Sequence, residues 1–380
     1  MIPTPAHRGR LAELDSLRGL AALSVVFGHF RTFWLQDAML HASTSSRRVF
    51  LCLTYPFCAG AEAVILFFIL SGFVLSIPAI ESRAQSYPVF VVRRIFRIYF
   101  PYLVALSAAI LCDALLHGHI TQSEWFNQSW NENIDWRLVA QHVLFIGKYN
   151  TNQFDNPVWS LVHEMRISLI FPLLCALVLK LKPAQSLAFA AALSCTALIV
   201  VNLFSIQGLF NPFIYTLHFI AFFVLGIYLA RKRERISAAL RQLSKLKRAA
   251  CFVLAALLYI YGGIFSDGVA RLLTSYNTVF ITEWMTALGA AGLVALSLSS
   301  RSIQRVLLWR PVHILGEMSY SVYLLHLIVL FALIHLLYGK LPVLLIDALC
   351  LAITLAVSWG FYRQIEIPLI TLGRRLSAKL

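Results

Sequence analysis

The chain has 380 residues, of which 59% are hydrophobic and only 13% charged, with a mean hydropathy of +0.76. That composition lies outside the range of soluble globular domains and defines an integral membrane protein. The formal net charge of +15 is spread over several short segments between apolar runs, a pattern of topology signals and headgroup contacts, so nucleic acid is excluded as a partner.

Apolar runs able to cross ~30 Å of hydrocarbon, about 20 helical residues each, are predicted at 14–35, 58–80, 98–117, 159–181, 184–204, 213–230, 249–265, 279–299, 314–337 and 342–363. Stretches such as 184–204 are continuously apolar rather than alternating, which excludes barrel strands. The expected fold is all-α and polytopic, with about ten transmembrane helices. Arg8 and Arg10 precede the first run, but no small-residue cleavage site follows it, so it is read as a retained span. With the N-terminus in the cytoplasm, 24 of the 32 lysines and arginines fall on inner segments, seven on outer ones and Arg166 within a span; the positive-inside rule then places both termini in the cytoplasm. The hydrophobic turns at 138–147 are too short to cross and suit an interfacial or re-entrant helix. No fixed-period repeat or low-complexity tract interrupts the chain, and residues 1–380 are expected to form a single membrane domain with no separate soluble domain. Five of the seven cysteines sit in apolar runs; Cys52 and Cys58, on the outer side, could pair, but one spacing does not decide it.

An ionisable side chain in hydrocarbon costs a few kcal/mol or more, so each one is a functional candidate unless a partner or a snorkelling route explains it. Arg18 and His29 are 11 residues apart, three helical turns plus about 20°, and therefore share a stripe of the first span some 16 Å apart. Arg18 read alone is equally an anchor at the inner end. His29 suits a general base, its ordinary pKa being near neutrality. In the fourth span Glu164 lies five residues below Trp159, as His29 lies five below Trp34, so Glu164 is expected at a depth where it can orient the His29 imidazole. The other reading of Glu164 is an ion pair with Arg166 or another buried cation. Arg93, Arg94 and Arg97 cluster at the inner end of the third span, where guanidinium forks suit the phosphates of a nucleotide-bearing donor, or serve only as anchors. Ser71 and Gly72 form a small step that lines a cavity or packs a helix. Trp159 and Ser160 precede Glu164, and Ser319, Tyr323 and His326 fall on one face of the ninth span, lining a cavity or bonding to a neighbour. Glu366 and Pro368 close the last span. No metal site is expected.

Taken together, these residues resemble the acyltransferase family 3 membrane proteins over nearly the whole length. The resemblance rests on Arg18 and His29 after an LDSLRGLAAL-type lead, on Phe67, Phe68, Ser71, Gly72 and Phe73, on Arg93, Arg94 and Arg97, on Trp159, Ser160, Leu161 and Glu164, on Ser319, Tyr320, Ser321, Tyr323, Leu324 and His326, and on Glu366 with Pro368. The chain departs from the pattern after that glutamate, where many members carry an aromatic pair and this one has Ile167 and Ser168 behind Arg166. What the resemblance implies is O-acylation, usually acetylation, of a carbohydrate or glycolipid of the cell envelope, such as lipopolysaccharide or exopolysaccharide. It also implies acyl-CoA, most often acetyl-CoA, as a cytoplasmic co-substrate with no permanently bound cofactor, in the bacterial inner membrane. In that setting Arg18, Arg93, Arg94 and Arg97 bind the donor, His29 is the base supported by Glu164, and Ser71, Gly72, Trp159, Ser160, Ser319, Tyr323 and His326 line the cavity. Two rivals predict different behaviour. A proton-coupled transporter of a small anion or glycan precursor would move solute without consuming acyl-CoA, and a structural subunit would lose assembly rather than chemistry when His29 is changed.

Overall fold

A computed structural model describes residues 11–36, 39, 41–121, 123–130, 134–206, 212–270 and 275–380. Arg8, Arg10 and Arg271, with the side chains of Arg48 and Cys52, lie outside the described residues, and the Cys52–Cys58 question with them. Every regular element among the described residues is helical. In chain order the helices are α1 (Ala12–Gln36), α2 (Thr44–Thr54), α3 (Gly60–Ile80), α4 (Tyr87–Arg94), α5 (Phe100–Leu116), α6 (Trp136–Leu144), α7 (Val158–Lys180) and α8 (Pro183–Leu203). There follow α9 (Phe213–Gln242), α10 (Lys245–Ala270), α11 (Ser275–Ser299), α12 (Arg301–Leu307), α13 (Arg310–Glu317), α14 (Ser319–Leu337), α15 (Val343–Phe361) and α16 (Ile367–Ser377).

Eight helical stretches among the described residues are long and apolar enough to cross a membrane, and they carry eight of the ten expected spans. The other two expected spans, 14–35 and 249–265, lie on α1 and α10. α1 is 25 residues long, which suffices for a crossing, but Arg18, His29 and Arg31 dilute its apolar character. It is sheltered instead, packing against α3, α13 and α14. Short helix α6 takes the place of the 138–147 turns, ending at Phe145 in a left-handed conformation (φ 60°). The expected single span 314–337 is broken: Met318 leaves helical geometry (φ −97°, ψ 13°), and α13 crosses α1 with Gly316 directly against the Asp15 backbone.

Two interruptions of regular helix share one cause. Residues Ile95–Tyr99 and Tyr362–Glu366 form wide π-turns, each followed two residues later by a proline, Pro101 and Pro368. A proline has no N–H for the preceding turn, and the helix widens there rather than breaking. The π-turns carry Arg97 and Glu366, and α16 packs on the first of them with Gly373 against the Phe96 ring.

At the centre α3 crosses α9 at a pair of glycines. A methyl group on Gly72 would lie 2.2 Å from the carbonyl oxygen of Phe223, and one on Gly226 would lie 2.2 Å from that of Ile69. Gly72 therefore faces α9 and lines no cavity, which corrects the cavity-lining expectation in favour of close packing. Because the obstruction is backbone, Gly72→Val is expected to cost at least about 3 kcal/mol, the upper end for overpacking. Size-exclusion of the detergent-solubilised protein should show loss of the monodisperse peak.

The connection between α5 and α7 folds into a cap. Trp130 is fully buried, donates its indole N–H to the Phe154 carbonyl at 3.1 Å, and is itself in a left-handed backbone conformation (φ 53°). Beneath it His142 is fully buried, its Nδ1 bonded to the Leu138 carbonyl and its Nε2 without a partner. Burial pulls the His142 pKa down to about 4 from an ordinary value near 6.5. The unfolded cap then takes up a proton that the folded cap refuses, so stability is lost as pH falls from about 6.5 to about 4, by roughly 3 kcal/mol at full effect. Hydrogen-exchange protection factors across 134–157, corrected for the intrinsic pH dependence of exchange, should fall more steeply over that window in the parent than in a His142→Phe variant. Asp155, buried with Oδ1 unpaired, is pushed the other way, well above the ordinary carboxylate range, by burial.

Candidate active site

α1 and α14 bring two histidines together. His29 Nδ1 lies 2.9 Å from His326 Nε2, and the rings stack with centroids 5.0 Å apart. His326 is buried, and its other nitrogen, Nδ1, lies 2.8 Å from the Tyr323 carbonyl oxygen and 3.1 Å from that of Val322. A carbonyl only accepts, so Nδ1 of His326 carries the proton and its Nε2 is left as an acceptor. His29 must then donate from Nδ1, which leaves its Nε2 as a free lone pair. The network, not either residue alone, sets this tautomer. Trp125 of the cap stacks on the far side of the His29 ring, at 5.4 Å and 15°. Gln36 at the end of α1 holds that segment, accepting from the Trp125 backbone N–H at 3.1 Å and the Ser123 hydroxyl at 3.2 Å.

Glu164 does not partner His29. Its Oε1 accepts from Arg94 Nη2 at 2.9 Å and from the Ser71 hydroxyl at 3.0 Å. The place expected for Glu164 is taken by His326, whose role was read as cavity lining. The other reading of Glu164, an ion pair with a buried cation, is the one observed, with Arg94 as the cation. Arg166 is engaged elsewhere, tying α7 to the cap through the carbonyls of Ile146 at 2.8 Å and Gly147 at 2.7 Å, with its guanidinium 4.0 Å from the Phe213 ring centroid. The departure at Ser168 has a use here, because its hydroxyl oxygen accepts from Arg94 Nε at 3.2 Å and Nη2 at 2.9 Å. An aromatic side chain at 168 could not do this.

The four arginines separate. Arg18, half-buried and 3.4 Å from Asp15, lies within electrostatic reach of Arg94, Arg97 and Glu164. Arg97 is exposed, and no hydrogen bond of its side chain occurs among the described residues. Arg93 points away, its Nε donating to Ser377 of α16 at 2.9 Å. Of the four arginines grouped by spacing, Arg93 is thus tied to the C-terminal helix, while Arg18, Arg94 and Arg97 stay within electrostatic reach of one another.

Ser160 and Tyr323 join α7 to α14: their hydroxyls lie 2.7 Å apart, so one donates to the other, and the second donates to the Pro157 carbonyl, which lies 3.1 Å from Ser160 and 3.2 Å from Tyr323. Phe67 meets the Tyr323 ring edge-on at 5.6 Å. Trp159 is half-buried against His163 and Phe219, and Ser319 is buried at the start of α14. Ser321 donates to Glu366 at 2.8 Å, so the last carboxylate is a buried joint between α14 and the second π-turn.

Two features escape any reading by spacing. Trp125 sits in a polar loop with no periodic signal. Ser194, His218, Glu283 and Trp284 form a chain across α8, α9 and α11: the indole N–H donates to Ser194 Oγ at 2.8 Å, the hydroxyl meets His218 Nδ1 at 2.7 Å, and Nε2 meets Glu283 at 2.7 Å. The serine oxygen is capped by the indole and 3% exposed, so this set is a polar joint between helices rather than a nucleophile.

An imidazole pair with one ring buried and the other half-buried, in a bundle of membrane-length helices whose first helix also carries Arg18 within reach of Arg94 and Arg97, fits the class of membrane-embedded group-transfer proteins. The family described as an acyltransferase domain matches residues 11–363. The chain therefore belongs to acyltransferase family 3. It is similar to the O-acetyltransferase OatA of Staphylococcus aureus, 24% identical over 97% of this chain and 59% of that protein. It is also similar to the acyltransferase MdmB of Streptomyces mycarofaciens, 31% identical over 52% of this chain and 47% of that one. The chain thus spans about three fifths of the first relative and about half of the second. No solved structure matches it.

Proposed function

We propose that this protein is a membrane O-acyltransferase that moves an acyl group, acetyl foremost, from cytoplasmic acyl-CoA to a hydroxyl of a cell-envelope carbohydrate, working as one domain in the bacterial inner membrane. The observation that carries the reading is the histidine pair, within a chain that belongs to an acyltransferase family. His29 Nε2 takes the proton from the acceptor hydroxyl as its oxygen attacks the thioester carbonyl, and His326 holds the imidazole in the basic tautomer and shares the charge that develops. Collapse of the tetrahedral adduct breaks the carbon–sulfur bond, and the proton held on His29 leaves with the CoA thiolate. Arg18, Arg94 and Arg97 take the donor phosphates, with Glu164 and Ser168 fixing the Arg94 fork. The donor's arm then runs along the α1 stripe, about 16 Å from Arg18 to His29. An initial acyl transfer to His29 itself uses the same lone pair.

The test is release of free CoA thiol from acetyl-CoA by the purified protein in nanodiscs, with a surface-glycan extract as acceptor. Release that requires the glycan is the expected result. Solute movement without thiol release, from folded protein, would turn the assignment to a transporter.

A further inference from the structure

On the flank of α1 about a third of a turn from the Arg18–His29 stripe lies an apolar groove of about 560 Å³. Its walls come from α1, α3, α10, α11 and α12, with Leu20, Leu66, Ala256, Tyr259, Leu293 and Val306 among them, and no charged residue lines it. Leu20 and Val306 are exposed, so the groove opens on the bundle's outer surface, where lipid would lie. Its lining on α10 runs from Phe252 to Ile260, a rise of about 12 Å. One end is strongly basic. Arg301 and Arg305 flank the lining residues Ser302, Ile303 and Val306 on α12, all but Ile303 exposed, and exposed Lys245 and Lys247, with Arg248, open α10 one turn before Phe252.

We infer that the groove holds one hydrocarbon chain of an anionic phospholipid, whose phosphate is gripped by the basic ends of α10 and α12. Charge complementarity selects this occupant: a zwitterionic lipid would fill the apolar part equally well, but the cations at its mouth favour a net negative headgroup. A second copy of the chain is disfavoured by shape, since the groove is concave and narrow. The site goes beyond acyl transfer and does not depend on it.

Native mass spectrometry of the full chain, released from nanodiscs of equal phosphatidylglycerol and phosphatidylcholine, tests the inference. The expected result is one retained phosphatidylglycerol per monomer. Ala256→Trp and, independently, Leu20→Trp should lower retention at least tenfold by filling the groove, while size-exclusion and thermal unfolding confirm that each variant is folded; having two positions keeps the test open if one does not fold. Arg301→Gln with Arg305→Gln should leave one lipid bound but remove the preference for the anionic one. Absence of retained lipid in the parent, a retained lipid without charge preference, equal retention in a folded groove-filled variant, or a dimer whose interface covers the groove would each overturn it.

Discussion

His29→Ala is expected to lower acyl transfer by 10²-fold to 10⁴-fold, the usual contribution of a positioned general base, with little change in thermal stability. The residue is half-buried, and its ring bonds to His326 and to the backbone of Val25 one turn earlier. The informative companion is His326→Ala. His326 touches no reacting atom in the proposed chemistry; it fixes the proton of His29 on Nδ1. Without it His29 can place its proton on Nε2 and lose the lone pair that faces the acceptor, so the rate should fall about 10²-fold while the KM for the donor is unchanged. His326→Gln, whose side-chain oxygen can still accept from His29, should recover part of that loss. Thiol release measured over pH 5 to 9 separates this from simple loss of structure, because a positioning defect shifts the profile and a folding defect only scales it. A His29→Ala protein as active as the parent would sink the assignment of the base.

Breaking the Arg94–Glu164 pair is expected to have the largest effect on stability. The two side chains are 10% and 18% exposed and 2.9 Å apart, which puts them nearer the buried than the surface regime. Removing one partner of a buried pair leaves an uncompensated charge and costs about 3–5 kcal/mol. Glu164→Ala should therefore lower the unfolding temperature sharply, and Glu164→Gln less, since its amide oxygen still accepts from Arg94. Replacing both by methionine should recover much of the loss, as apolar substitutes for buried ion pairs do. The four unfolding transitions form a double-mutant cycle, and additive losses would show that the pair is not coupled. In the activity assay Arg94→Lys should raise the KM for acyl-CoA more than it lowers kcat, because a lysine keeps the charge but not the fork that Ser168 and Glu164 hold.

Much of the architecture was legible in the amino-acid sequence because hydrocarbon permits few backbone solutions: a run of about 20 apolar residues has to be a helix. The helical class, eight of the predicted runs, the short helix near 138–147 and the shared stripe of Arg18 and His29 follow from periodicity and composition alone. Counting residues from the tryptophans put His29 and Glu164 at similar levels, but Glu164 bonds to Arg94 and lies within electrostatic reach of Arg18, three turns of α1 away from His29. Which way each helix turns its polar residues, and how far it is shifted along its axis, depends on its neighbours.

Only the tertiary structure decided that His326, from a helix some 300 residues later in the chain, is the partner of His29. It also decided that Trp125 covers them, that Gly72 serves a helix crossing, and that Arg93 is tied to the C-terminal helix. The two prolines that widen the helix at Arg97 and Glu366 were visible, but their consequence was not, because a proline only forbids a hydrogen bond and the packing around it chooses the response. Local sequence therefore set what each segment must be in lipid, and contacts between segments set which of its polar groups meet.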